Sequence, residues 1–177
     1  MSISFAFKAV SAVLLLSPVI VPAIACSQEP AGIAVGMTAP GAAVESLDGK
    51  AMDLAQFIGK KPVLMEFWAT WCPLCRKLEP QMQTLRKAYG DRVNFVSVGV
   101  PQNQTPERQL AHVTREEMGG MFVFDRNSTA IAAYQVPHTS YVVVINAAGK
   151  VVYTGVGPDQ DLDAALKKAL MPPGSRP

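Results

Sequence analysis

Residues 62–68 read PVLMEFW, an apolar run with one charge in it, and this stretch restricts the fold more sharply than any other. A run so short is a strand rather than a helix. Because it does not alternate, it is a strand buried on both faces, which requires helices above and below the sheet. The chain supplies them. From Pro73 to Tyr89 the residues Leu74, Leu78, Met82 and Leu85 recur at helical spacing, and Gly90 ends the helix. Val93–Val100 is again a strand. Thr105-Pro106-Glu107 opens a helix, with Thr as cap and Pro in the first turn, and Gly119-Gly120 stops it. Met121–Phe124 reads as a short strand and Ser128–Tyr134 as a short helix. Thr139–Ile145 and Lys150–Tyr153 form a hairpin through NAAG. In the closing helix Asp161–Leu170, acids crowd the start and Lys167 and Lys168 the end, matching the helix dipole. At the other end of the chain, Ala43–Leu47 and Ala51–Leu54 flank Asp48-Gly49, a hairpin turn, and Asp53–Ile58 makes a short helix that stops at Gly59. The order specifies α/β with a mixed sheet.

The first 25 residues read as an export leader instead of part of this fold. Lys8 is followed by an uncharged segment, Ala9–Ala25, ending in the small-x-small pattern Ala23-Ile24-Ala25. An uncleaved anchor is the alternative, but the run is short against ~20 residues per span, and Pro18 and Pro22 interrupt it. Removing 25 residues from 177 leaves 152, the size of one domain with a real core. Residues 26–40 are Gly/Pro-rich and read as a linker, 41–171 as the domain, and 172–177 as a tail. With Lys8 gone, 15 Lys and Arg face 14 Asp and Glu, with no basic stripe, which excludes a nucleic-acid partner.

Export changes what the three cysteines mean, since disulfides persist outside the cytosol. Cys26 follows the expected cut. It is either an unpaired N-terminal thiol or, AIAC being like a lipobox, a site of lipidation that would tether the protein to a membrane. Cys72 and Cys75 form a CxxC. A structural zinc takes four ligands, usually from two knuckles, and here the second knuckle is missing, so no metal is expected. A bridge across two residues closes too small a loop to stabilise much. The remaining reading is chemistry. Cys72 lies between the strand and the next helix, where free N–H groups and the dipole favour a thiolate below the usual ~8.5. Pro73 takes the first helical position, where its missing N–H costs nothing. Cys72 would then be the accessible nucleophile and Cys75, on the inner side, the resolving thiol, with their disulfide as the redox group and no other cofactor.

LMEFWATWCPLC, the LDGK hairpin before it and INAAGKVVYTG after it resemble the thioredoxin superfamily, specifically its exported TlpA-like and cytochrome c maturation branch. The likeness runs from about Gly36 to Leu170. It implies a thioredoxin-like fold, a mixed central sheet flanked by helices with an N-terminal β-hairpin extension. It also implies a monomeric protein-disulfide reductase of the bacterial periplasm, with a disulfide-containing client protein and an upstream membrane electron donor. By position, Trp71 would shape the docking surface, although alone it is equally a half-buried aromatic. Glu66 would be a buried proton acceptor for Cys75 rather than a carboxylate on an exposed edge. Pro137 would be the family's cis-proline, presenting Val136 to the substrate, although Tyr134-Gln135-Val136-Pro137 is tighter than the usual pattern. His138 lies near the thiols or in an exposed turn.

Two further functions compete with this one. A peroxidase of the peroxiredoxin type requires Thr three residues before its Cys and Pro four earlier still, where this chain has Ala69 and Met65; Thr70 stands two before Cys72. A binding module without catalysis would have no use for both cysteines.

Overall fold

A computed structural model describes Met1 and residues 32–172. Residues 2–31, which hold the expected leader after Met1, Cys26 and the first part of the expected linker, and residues 173–177 of the expected tail lie outside the described residues. Seven strands form one sheet in the order β2-β1-β5-β4-β3-β6-β7. They are β1 (Ala43–Ser46), β2 (Ala51–Asp53), β3 (Val63–Trp68), β4 (Asn94–Gly99), β5 (Met121–Phe124), β6 (Tyr141–Ile145) and β7 (Val151–Val156). The helices are α1 (Pro73–Tyr89), α2 (Pro106–Arg115), α3 (Thr129–Ala133) and α4 (Leu162–Leu170), and a 3-10 turn at Leu54–Phe57 follows β2. β3 pairs in parallel with β4 and antiparallel with β6, so the apolar run of the sequence is an interior strand. All six of its residues are buried.

The two faces of β3 and β6 separate by alternation, as the period of two requires. Met65, Phe67, Val143 and Ile145 join one core cluster with Leu54, Tyr134 and the N-terminal Ile33. Leu64, Val142 and Val144 join the other, with Leu78, Met82 and Leu85 of α1 and Leu162 and Leu166 of α4. Leu74 departs from the expected stripe: in the first turn of α1 it is 39% exposed, with Trp71 at 43%.

Three expectations need correction. Residues 32–40 are no linker. Ile33 is 6% exposed and its N–H bonds the Tyr134 carbonyl at 3.0 Å. Gly36 and Ala39 donate to the carbonyls of Val151 and Gly149, and the Val151 N–H returns to Met37. Of the glycines that suggested freedom, Gly32 serves close approach instead, because a Cβ there would fall on the Tyr141 side chain, and Gly36 supplies a left-handed turn (φ 93°). Second, α2 ends at Arg115, four residues before Gly119. Glu117 takes the left-handed conformation (φ 49°) and the Met118 N–H bonds the Val113 carbonyl at 3.0 Å, a Schellman-type ending without glycine. Third, every described peptide bond is trans, that of Pro137 included. The chain turns from α3 into β6 through two left-handed residues instead, Gln135 (φ 50°) and Ser140 (φ 64°). The Val136 N–H closes α3 on the Ile131 carbonyl at 3.0 Å, and the Ser140 N–H reaches the Phe67 carbonyl at 2.7 Å.

Candidate active site

β3 is buried throughout, and after it ends at Trp68 the short connection Ala69-Thr70-Trp71 leads into Cys72. Cys72 is the N-cap of α1 and Pro73 lies in the first turn, as the order of residues predicts. Cys72 and Cys75 are joined in a disulfide with Cα atoms 5.3 Å apart. The Cys72 Sγ accepts the Cys75 N–H at 3.1 Å. A thiolate at that place would be held by the same N–H and by the helix N-terminus. In this oxidised state Cys72 is 1% exposed and Cys75 7%, so the nucleophile is not the more open of the two. Its side chain is turned inward by the cap hydrogen bond and the bond to Cys75.

The approach to Cys72 is pinned from the β4–α2 connection. Gln104, 7% exposed, accepts the Thr70 N–H at 3.1 Å and the Thr70 hydroxyl at 3.3 Å. Its amide donates to the carbonyls of Val100 at 2.5 Å and Trp68 at 3.4 Å. Trp71 is partly exposed and donates Nε1–H to the Gln102 carbonyl at 2.8 Å, which fixes an apolar surface next in sequence to Cys72. The hydroxyl of Thr70 is thus turned to Gln104. Neither glutamine was singled out by sequence; a contact across 34 residues leaves no local signature.

Behind the disulfide is a cavity of about 420 Å³ whose wall includes Cys75, Glu66, Glu79, Arg76, Gln83 and His112. Glu66 is 4% exposed and its Oε1 has no hydrogen-bond partner among the described residues. Burial pushes its carboxyl up to about 8, the nearby Glu79 carboxylate adds to this, and the Arg86 guanidinium opposes it. Glu66 is therefore the buried acid expected from sequence, not one on an exposed edge. At the mouth, desolvation and the Arg115 cation lower the His112 pKa, and its ring lies 5.9 Å from that of Trp68. His138 is exposed in the turn before β6. Among the described residues no group of His, Cys, Asp or Glu is arranged to hold a metal ion.

Known proteins place this geometry. A family model described as Redoxin matches residues 34–170. The thiol-disulfide oxidoreductase ResA of Geobacillus thermodenitrificans (strain NG80-2) is 31% identical over 144 residues, 78% of this chain and 80% of that one. The thioredoxin-like protein YneN of Bacillus subtilis (strain 168) is 38% identical over 84 residues, about half of each chain (48% and 49%). Among solved structures, a thiol:disulfide interchange protein of the thioredoxin family from Chlorobium tepidum TLS superimposes with a TM-score of 0.66 at 26% identity. That superposition covers 78% of this chain and 99% of that one.

Proposed function

This chain belongs to the Redoxin family and is a thiol–disulfide oxidoreductase, and we propose that it reduces protein disulfides outside the cytoplasm. The reduced protein begins the cycle. The Cys72 thiolate attacks one sulfur of a client disulfide, the other client sulfur leaves as a thiolate, and a Cys72–client mixed disulfide forms. In the molecules whose Glu66 is ionised, a minority below its midpoint of about 8, Cys75 gives its proton to that carboxylate and attacks the Cys72 Sγ. The second client sulfur leaves, and the disulfide present in the structure is the product. Two electrons have passed to the client, and an upstream donor, membrane-bound in this reading, returns them. The extracytoplasmic setting rests on the leader pattern and on the odd cysteine after it. Among the described residues no helix is long and apolar enough to cross a membrane. Tethering through Cys26 belongs to the same proposal.

One observation carries the mechanism: the disulfide caps a helix N-terminus and shares a cavity wall with a buried carboxyl whose raised proton affinity, with a midpoint of about 8, approaches that of a thiol. Insulin reduction by the purified protein tests it. Turnover is expected in the intact protein and is lost in Cys72→Ser, whereas Cys75→Ser accumulates the mixed disulfide. The reductase direction expects a Cys72–Cys75 potential nearer the roughly −270 mV of thioredoxin than the roughly −120 mV of a strong periplasmic oxidant. No turnover by the intact protein, or peroxide consumption that survives Cys75→Ser, overturns the proposal.

A further inference from the structure

Cys75, Glu79 and Arg86 lie at intervals of four and seven along α1, which places a sulfur, a carboxylate and a guanidinium on one stripe of the helix. Arg86 grips Glu79 with both arms, Nη1 to Oε1 at 2.6 Å and Nη2 to Oε2 at 3.4 Å. The two side chains are only 11% and 16% exposed. An ion pair this enclosed is weak as a stabiliser, because desolvation offsets most of its attraction. Its position suggests another use. Glu79 shares the cavity wall with Cys75 and Glu66. Arg86 Nε is buried without a hydrogen-bond partner among the described residues, and so is Glu66 Oε1 of the carboxyl on which the guanidinium acts electrostatically. The strand beside Glu66 offers no cation of its own: Ser97 pairs with it on β4 and Val142 on β6.

We propose that Glu79 and Arg86 are positioning residues for the resolving step: Glu79 occupies the guanidinium and withholds it from Glu66, which keeps Glu66 a strong enough proton acceptor for Cys75. This rests on Glu66 being that acceptor. Were the guanidinium free to pair with Glu66, the carboxylate would be too stable to take a proton from a thiol of ordinary pKa, ~8.5. With the guanidinium held by Glu79, the proton affinities of acid and thiol approach each other, and the proton passes at little cost. The other charged groups facing the cavity are Arg76 on α1 and His112, Arg115 and Glu116 from α2 and its end. Arg115 and Glu116 bond each other at 2.9 Å, with side chains 66% and 50% exposed, so solvent screens them.

The two partners of the pair must act on Glu66 with opposite sign, and a purely structural pair has no such signature. In the oxidised protein neither sulfur titrates, so the carbon-13 shift of the Glu66 carboxyl, assigned through Glu66→Gln, reports that group alone. Glu79→Gln is expected to lower its midpoint by about one pH unit or more, and Arg86→Gln to raise it. Arg86→Lys, keeping the cation, restores the original value. The double variant Glu79→Gln/Arg86→Gln leaves no buried ion alone and falls between the singles, which preserves the comparison if one single variant does not fold. In the reduced protein with Cys72 already alkylated, the inflection in the Cys75 alkylation rate is expected to follow the same order. Midpoints that do not move, or that move the same way in both single variants, overturn the proposal. A Cys75 alkylation profile unchanged in Glu66→Gln overturns instead the premise that Glu66 takes the Cys75 proton.

Discussion

Replacing Glu66 by Gln is expected to stabilise the oxidised protein, by an amount that grows with pH. The ordinary carboxyl of the unfolded chain titrates near 4.5, and burial in the native state pushes it to about 8. Below pH 4.5 both states hold the proton, and this group gives stability no slope. Between the two values the unfolded chain releases the proton and the native state keeps it, so the native state binds one proton more. Stability then falls as pH rises, at about 1.4 kcal/mol per pH unit, until the native carboxyl also ionises near 8. The full loss is on the order of 5 kcal/mol. That is large beside the roughly 5–15 kcal/mol that holds a domain together, so it stands as a ceiling. Gln has nearly the same shape and cannot ionise. Since Glu66 Oε1 has no hydrogen-bond partner among the described residues, the exchange sacrifices little contact there at any pH. Urea unfolding of both proteins at pH 5, 6, 7 and 8 measures the difference, and every other titrating group largely cancels in the subtraction. A difference that stays flat across that range, within about 0.5 kcal/mol, refutes a proton-retaining Glu66.

Leu78, fully buried between α1 and the sheet, should cost about 2–5 kcal/mol on change to Ala. This is read as a lower urea midpoint, with insulin turnover of the folded fraction unchanged. Gln104→Ala leaves the Thr70 N–H and the carbonyl of Val100 without their partner; about 1–3 kcal/mol should be lost, and insulin reduction should slow several-fold as the loop before Cys72 loosens. A Cβ on Gly99 would overlap the Gln109 side chain, which is fully buried. Gly99→Ala is therefore expected to cost about 1–3 kcal/mol, and adding Gln109→Ala should recover part of it.

Most of the architecture could be read from local pattern. PVLMEFW became an interior strand because continuous apolarity is stable in a sheet only where both faces are covered. Cys72 and Pro73 announced the start of α1 because an N-cap and a first-turn proline satisfy a helix end in place. What was missed was either long-range or conformational. Gln104 secures the site across 34 residues, and the end of α2 depends on a glutamate accepting a left-handed backbone that composition would assign to glycine. The chain reaches β6 without a cis bond at Pro137 because Gln135 and Ser140 already make the reversal. The tight spacing from Tyr134 to Pro137 was the visible hint. Glu79 and Arg86 were legible in principle, as opposite charges two helical turns apart, but only the cavity gives their spacing a purpose.

The segment of residues 36–39, which bonds to the start of β7 and to the turn before it, has a consequence for solubility. A sheet with an open margin invites another copy to add itself there. Along β7 the outward hydrogen-bonding groups of Val151 are already taken by Gly36 and Met37, and those of neighbouring Gly149 and Lys150 are covered by Ala39 and a bridge to Thr38. A shortened protein beginning at residue 41 would leave that margin bare along with the pocket vacated by Ile33. Self-association at micromolar concentration is the behaviour to expect of it.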